Sequence, residues 1–355
     1  MLSIPYPQYQ LRLLISMSSQ TSRAKVWWRA IRYHFVTPSI FPAVLGGLIS
    51  WANGEFYLWL FILVLAVVII NNIGLNMTDD YFDYKHAVDN LKPGEKNPYT
   101  GGSGTLSNGT IKPRKMLMAF SLCFLVTIAA GLYLTFTRGL PVLLFGSIGV
   151  FCAFFYTAPP ISFGYHGFGE LSLLVNFGGT ICLGAYYVQS QMLTLEAFLA
   201  TLPIGIMVFS MLVINEIPDV EEDRSAGKLT LVSRYGRKAG VKLYITSMLC
   251  GYAVIVGAVA LRLIPVFTLF SLLSIPLVYN SIKILRVHYN HPLLLAPANL
   301  GTIKALNVAS FGLIAGYAVQ GILNGASLAL LALTLLLLAV AYAPAAIPVM
   351  RAGKE

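Results

Sequence analysis

Apolar residues along this chain come in long unbroken runs, separated by short polar stretches. The runs cover about 33–53, 55–83, 113–137, 139–157, 169–190, 195–219, 237–261, 264–286, 300–323 and 326–349. A helix needs roughly 20 apolar residues to cross the hydrocarbon of a bilayer. The pattern therefore predicts ten membrane-spanning helices. The short alternating segments of a transmembrane β-barrel are absent from the sequence. Asn53-Gly54, Gly139, Pro141, Pro265 and Asn324-Gly325 mark tight connections, all expected on one side of the membrane. Ahead of the first run, Arg23 to Arg32 mixes cations with Trp27 and Trp28, which suits a helix lying at the headgroups. Leu11 to Met17 is too short for a signal peptide, and no cleavage site follows it.

Two of the runs end in carboxylates. The run from Phe56 to Leu75 continues into Asn76-Met-Thr-Asp79-Asp80-Tyr-Phe-Asp83-Tyr-Lys85 and on to Asp89. A second copy of the feature closes a later run: Asn215-Glu-Ile-Pro-Asp219-Val-Glu-Glu-Asp223. Asp79 and Asp83, like Asp219 and Asp223, are four residues apart and share one helix face. Carboxylates crowded at a membrane edge are costly without a partner. A divalent cation removes the repulsion, and carboxylate oxygen is what a hard ion such as Mg²⁺ prefers.

Each acidic end is followed by a basic, glycine-containing loop. The first runs from Lys92 through Lys96 and Gly101-Gly-Ser-Gly104 to Lys112, Arg114 and Lys115. The second holds Arg224, Gly227, Lys228, Arg234 and Arg237. Glycines allow close backbone approach, and exposed amides with Lys and Arg bind oxyanions. A solvated linker would explain either loop alone. Beside carboxylates the combination reads as a Mg²⁺–diphosphate site, in which metal bridges the like charges and cations neutralise the rest. Lys228 and Arg234 are the nearer candidates in the second loop, while Arg237 and Lys238 read as topology charge. Tyr156-Thr-Ala-Pro159-Pro160 ends the fourth run on the same side, where Tyr156 reads as an interfacial aromatic. Glu170 suits a helix N-terminus.

Composition narrows the class. The chain of 355 residues is 57% hydrophobic and 11% charged, with mean hydropathy +0.74. Soluble domains carry about 25% charged residues. The net charge of +10 raises the question of a nucleic-acid partner. With the amino terminus inside, only Arg138 and Arg262 of the 24 Lys and Arg fall outside. The positive-inside rule thus accounts for the charge, with no nucleic acid, and puts both termini and both acidic ends in the cytoplasm. Cys123, Cys152, Cys182 and Cys250 lie within apolar runs and match no metal or redox spacing.

These motifs resemble, along nearly the whole chain, the UbiA superfamily of intramembrane aromatic prenyltransferases. Asn215, Asp219 and Asp223 match its second acidic motif. Asp79-Asp80-Tyr-Phe-Asp83-Tyr-Lys-His-Ala-Val-Asp89 is similar to the Asn-Asp-Tyr-x-Asp-Tyr-x-x-Gly-x-Asp form of the menaquinone-type branch. Asp79 stands where that form has Asn, and Ala87 where it has Gly; Asn76 takes the Asn role if the helix is read three residues earlier. The Lys96-to-Gly104 loop, the stretch Asp223 to Lys228 with Leu231 to Gly236, and Tyr156-Thr-Ala-Pro-Pro are similar to further family signatures. Arg32 resembles the Arg that opens the family's first helix.

The resemblance implies an all-α polytopic transmembrane bundle. It has a nine-helix core, here with a tenth span at 326–349 as an addition. Residues 1–32 form a tail and interfacial helix, and 33–323 the enzyme bundle, with rough halves at 33–157 and 169–286 and a further span at 300–323. It implies Mg²⁺-dependent transfer of a polyprenyl group from an isoprenoid diphosphate to an aromatic acceptor at a cell membrane. The metal would be held among Asp79, Asp80, Asp83, Asp89, Asp219 and Asp223. Arg32, Lys96, Arg114, Asn215, Lys228 and Arg234 would meet the diphosphate. Tyr156 and the aspartates would act at the reacting centre. The tail would leave sideways into the lipid bilayer. The branch form favours 1,4-dihydroxy-2-naphthoate, with loss of CO₂. The alternatives are 4-hydroxybenzoate, homogentisate, haem or a prenylated glycerol phosphate. From a different class, an ion-coupled carrier also uses intramembrane acids, though near the midplane on broken helices.

Overall fold

The computed structural model describes residues 23–86 and 101–346; Asp89 and Lys96 lie outside the described residues. All regular structure among them is helical. Helix α1 is Arg23–Ile31, followed by a 3₁₀ turn at Tyr33–Phe35 and α2 at Thr37–Ala52. Then come α3 (Leu58–Lys85), α4 (Pro113–Arg138), α5 (Leu140–Phe154), α6 (Gly169–Ser190) and α7 (Leu195–Ser225). The short α8 (Leu231–Tyr235) precedes α9 (Arg237–Ala260), α10 (Val266–His288), α11 (Ala296–Leu323) and α12 (Leu328–Tyr342).

Every apolar run holds a helix, but the runs are not equal. Helices α3, α4, α6, α7, α9, α10 and α11 are long and apolar enough to cross a membrane. The pair α1–α2, bent by 55° between its two parts, makes an eighth crossing if counted as one. The fourth and tenth runs fall short of the expectation of ten full spans. Helices α5 and α12 have 15 residues each, about 22 Å at 1.5 Å per residue. The regular part of α12 ends at Tyr342, two residues before Pro344, where proline disfavours further helix. The chain is a multi-pass membrane protein all the same.

Burial separates a core from a lipid-facing rim. All residues of α2 are buried, as is 72% of the apolar window of α7. A helix apolar all round belongs inside. Helix α2 packs on α6 and α11, and α7 on α9 and α6. By contrast, 22% of the α4 window is buried, and Leu122, Leu125 and Phe136 project outward as lipid-facing side chains do. Small residues set the closest crossing. A Cβ on Gly205 of α7 would lie 2.2 Å from the Cα of Gly178 in α6, so glycine is required there. That contact draws the start of α6 onto α7. The C-terminal ends of α3 and α7 thus meet at one end of the bundle, with the α1–α2 bend and α8 beside them.

Candidate active site

The first acidic end is the last turns of α3, which stay helical through Lys85. Asp79 and Asp83 therefore do share a face. Asp79 Oδ2 accepts from Arg32 Nη1 at 2.9 Å. Arg32 sits at the bend between α1 and α2 with φ 51° and ψ 47°, a left-handed conformation uncommon outside glycine. Such conformations persist where the surroundings hold them. Here Asn76 Nδ2 donates to the Ile31 carbonyl at 3.0 Å, and Arg32 Nη2 donates to the Gly101 carbonyl at 3.0 Å. Asp80 turns to the other side: its Oδ1 accepts from the Ser103 amide at 3.0 Å and from Arg32 at 3.4 Å. Asp83 accepts twice, from the Tyr165 hydroxyl at 2.7 Å and from Lys228 Nζ at 3.1 Å.

The second acidic end is the last turns of α7. Its helix closes on Gly227, at φ +74°, a conformation that glycine takes without penalty. The Lys228 amide donates back to the Asp223 carbonyl at 2.8 Å. This tight turn aims the Lys228 side chain across the site. Burial would lower the Lys228 pKa, but the carboxylates of Asp83, Asp223 and Asp79 outweigh it and hold the ammonium well above its usual value. Burial, and then the Asp83 carboxylate, push the Tyr165 phenol up, so it remains a donor. Burial likewise keeps the Tyr156 phenol neutral. Asn215 is fixed by Asn299 of α11, whose Nδ2 donates to Asn215 Oδ1 at 2.8 Å.

Both ends open on one cavity of about 150 Å³. Its polar wall holds Arg32, Asn76, Asp79, Asp83, Tyr156, Asn215, Glu216, Asp219, Glu222, Asp223 and Lys228. Its apolar wall includes Phe35, Pro38, Phe177, Val208, Met211 and Leu212. Six carboxyl groups face two cationic side chains in that wall, so the lining is short of positive charge. Asp79 Oδ1 is buried without a hydrogen-bond partner among the described residues. A hard oxygen donor lacking a partner in an acidic wall fits a divalent cation. No group of three acids or imidazoles converges into an all-protein metal cage among the described residues. The wall instead suits Mg²⁺, which keeps several ligands from water or phosphate.

Residues 39–292, well over half of the chain, match the UbiA prenyltransferase family. The chain belongs to that family and is a prenyltransferase. It is 26% identical over 262 residues to the 1,4-dihydroxy-2-naphthoate octaprenyltransferase of Bacillus subtilis, covering 74% of this chain and 82% of that one. Its fold is similar to the apo structure of a UbiA homologue from Aeropyrum pernix K1, with TM-score 0.57 at 16% identity, covering 80% and 98% of the two chains. It is also similar to a UbiA homologue from Archaeoglobus fulgidus bound to DMAPP and Mg²⁺, with TM-score 0.50 at 14% identity, covering 91% and 99%.

Within this UbiA bundle the residues singled out from sequence divide into two groups. Asp79, Asp83, Asp219, Asp223, Asn215, Arg32, Tyr156 and Lys228 line the shared cavity. Three others do not. Asp80 is buried against the Ser103 amide and Arg32, outside the cavity wall. Arg114 is exposed in the first turn of α4. Arg234 is exposed and braces backbone, donating to the carbonyls of Leu229 and His166 at 2.9 Å each. Helix phase explains Asp80, one residue round from Asp79; nearness in sequence misled for Arg234, and membership of the basic loop for Arg114. Asn76 serves the Arg32 bend. Tyr165, Glu216 and Asn299 were missed. Glu216 lies inside the second motif and was readable there, whereas Tyr165 and Asn299 reach the site only through the fold.

Proposed function

We propose that this protein transfers a polyprenyl group from an isoprenoid diphosphate to 1,4-dihydroxy-2-naphthoate, with loss of CO₂, at the cytoplasmic face of the cell membrane. The observation carrying this reading is that two distant acidic helix ends share one cavity. Arg32 and Lys228 stand between them, and an apolar wall lies behind. The naphthoate octaprenyltransferase relative supports the acceptor.

The chain's own residues do the following. Asp79, Asp83, Asp219 and Asp223 would hold Mg²⁺ from two sides. When bound, the metal would neutralise the diphosphate and stabilise it as a leaving group. Lys228 and Arg32, already positioned by Asp83, Asp79 and Gly101, present fixed positive charge to the departing oxygens. Asn215, its Oδ1 taken by Asn299, offers its amide donors to the same group. Tyr156 stays neutral and turns an aromatic face to the allylic carbon, where positive charge develops. Phe35, Pro38, Val208, Met211 and Leu212 exclude water and give the tail an apolar wall. The acceptor ring attacks the allylic carbon, its carboxyl-bearing carbon forms the new bond, and CO₂ departs.

The test uses membranes holding the full chain, labelled polyprenyl diphosphate, Mg²⁺ and one acceptor at a time. Prenylated product from the naphthoate, abolished by EDTA, is expected. Product only from 4-hydroxybenzoate, homogentisate or another acceptor would retire the naphthoate assignment.

A further inference from the structure

A second cavity, of about 100 Å³, lies deeper in the bundle between α3, α4, α5 and α6. It meets the acidic cavity at Asn72 and Leu75, which line both. Most of its wall is valine, leucine and glycine, and no charged side chain lines it. Three polar atoms within that wall are buried with no hydrogen-bond partner among the described residues: Asn71 Oδ1, Thr127 Oγ1 and Asn176 Oδ1. Asn176 is 3% exposed and Thr127 4%. A polar group left buried and unsatisfied is costly.

The three atoms form one layer. Asn71 is eight residues before Asp79, about 12 Å along the helix. Its Nδ2 donates to the Gly149 carbonyl at 3.4 Å, and a Cβ on Gly149 would lie 3.8 Å from Asn176 Oδ1. Gly74 abuts Cys123 and Phe124, so Thr127, one turn further along α4, comes level with Asn71. Asn176 also opens a π turn, Asn176–Thr180. Such a turn inserts a residue and redirects side chains, often at functional sites. On the facing walls, a Cβ on Gly131 would meet nothing within 4 Å, as would one on Gly146, which is itself exposed. The space is open.

We propose that this cavity seats the ring of the acceptor, a planar aromatic acid bearing hydroxyl groups. This rests on the reading above that the acceptor is of that class. A polyprenyl tail carries no hydrogen-bond donor and would leave all three oxygens unsatisfied. Ring hydroxyls donate to the amide oxygens of Asn71 and Asn176, and Thr127 completes the layer. The carboxylate of such a ring has no cation in this cavity. It therefore faces the boundary at Asn72, with Arg32 and Lys228 beyond. That orientation turns the carboxyl-bearing carbon, where the new bond forms, towards the allylic carbon.

The experiment compares the full-length wild type with Asn176→Leu, Thr127→Val and Gly131→Phe in membranes. KM is measured for both substrates. Equilibrium dialysis measures 1,4-dihydroxy-2-naphthoate binding without prenyl donor. Gly131→Phe fills the open space without removing a polar group, so it serves even if the polar variants fold poorly. The expected result is a rise of about tenfold in acceptor KM and in its dissociation constant, the equivalent of one lost hydrogen bond, with the KM for prenyl diphosphate within about twofold of wild type. A rise instead in prenyl diphosphate KM, growing with chain length, would make the cavity the tail's path. No change in either would leave it a water-filled void. Both overturn the proposal. If the wild type prenylates only another hydroxylated acceptor, the naphthoate assignment fails, and the same split measured with that acceptor still decides the cavity.

Discussion

The two acidic helix ends carry nearly the same pattern, yet the protein holds them in different ways. The end of α3 is tied down from outside. Arg32 from the α1–α2 bend, the Gly101 to Ser103 segment, Tyr165 and Lys228 all reach it. The end of α7 is organised by its own turn at Gly227, by Asn299, and by Arg237 of α9, which donates to the Ile217 carbonyl at 3.0 Å and pairs with Glu221. The loop following the second motif spends its lysine on the first: Lys228 pairs with Asp83, at side-chain exposures of 14% and 6%. Charge compensation is therefore exchanged across the cavity. A buried charge whose partner is removed is costly, so this exchange couples the two ends before any ligand arrives.

The largest expected effects treat the two ends as equals. Removing divalent metal with EDTA, or substituting Asp83→Asn or Asp219→Asn, is expected to lower prenyl transfer by more than about 10²-fold, the scale of losing one electrostatic element from a transition state. Product formation in membranes measures it, and Mg²⁺ should rescue the EDTA arm alone. Activity surviving at either end would break the symmetry. Next comes the crossed lysine. Lys228→Met should reduce kcat/KM by about 10²-fold, with Lys228→Arg restoring part. The double mutant with Asp83→Asn should depart from additivity by about 1–3 kcal/mol, more than the double mutant with Asp219→Asn. Equal coupling to both aspartates would mean that Lys228 belongs to neither end in particular.

Smaller effects separate contact from support. Tyr165→Phe removes one hydrogen bond to a charged acceptor, worth about 1.5–3 kcal/mol, and should cost kcat/KM about tenfold or more. An unchanged rate would show that Lys228 alone positions Asp83. Arg234→Gln is expected to alter kcat/KM by less than about twofold, because Arg234 braces backbone outside the cavity. A melting temperature lowered by about 2 °C would record the lost bracing. A tenfold loss with Arg234→Gln would return that arginine to the diphosphate.

Much of this architecture was legible in the order of residues. Asp79 and Asp83 share a face because four residues advance a helix by just over one turn, and the same spacing at Asp219 and Asp223 made the second end recognisable. The apolar runs located every helix except α1, which lies ahead of them, and the short α8, which lies between two of them. They overstated α5 and α12, because hydropathy does not register where a turn or proline stops the hydrogen-bond ladder. The neighbours of the acidic ends were less visible. Arg234 stands six residues from Lys228 in sequence, but only Lys228 turns inward, since Gly227 redirects the chain at that point. Asp80 carries the same charge as Asp79 and lies outside the cavity, one helix step away.

The sequence by itself determined the local and periodic features of this UbiA-family protein: its helices, its membrane habit and two acidic faces. Those depend on short-range sterics and on transfer of apolar surface, and both are written in neighbouring residues. Tertiary structure decided which cation answers which carboxylate, that Tyr165 and Asn299 belong to the site, and that a polar layer lies beneath it. Those follow from helix crossings such as Gly178 on Gly205, which bring together side chains far apart in the chain.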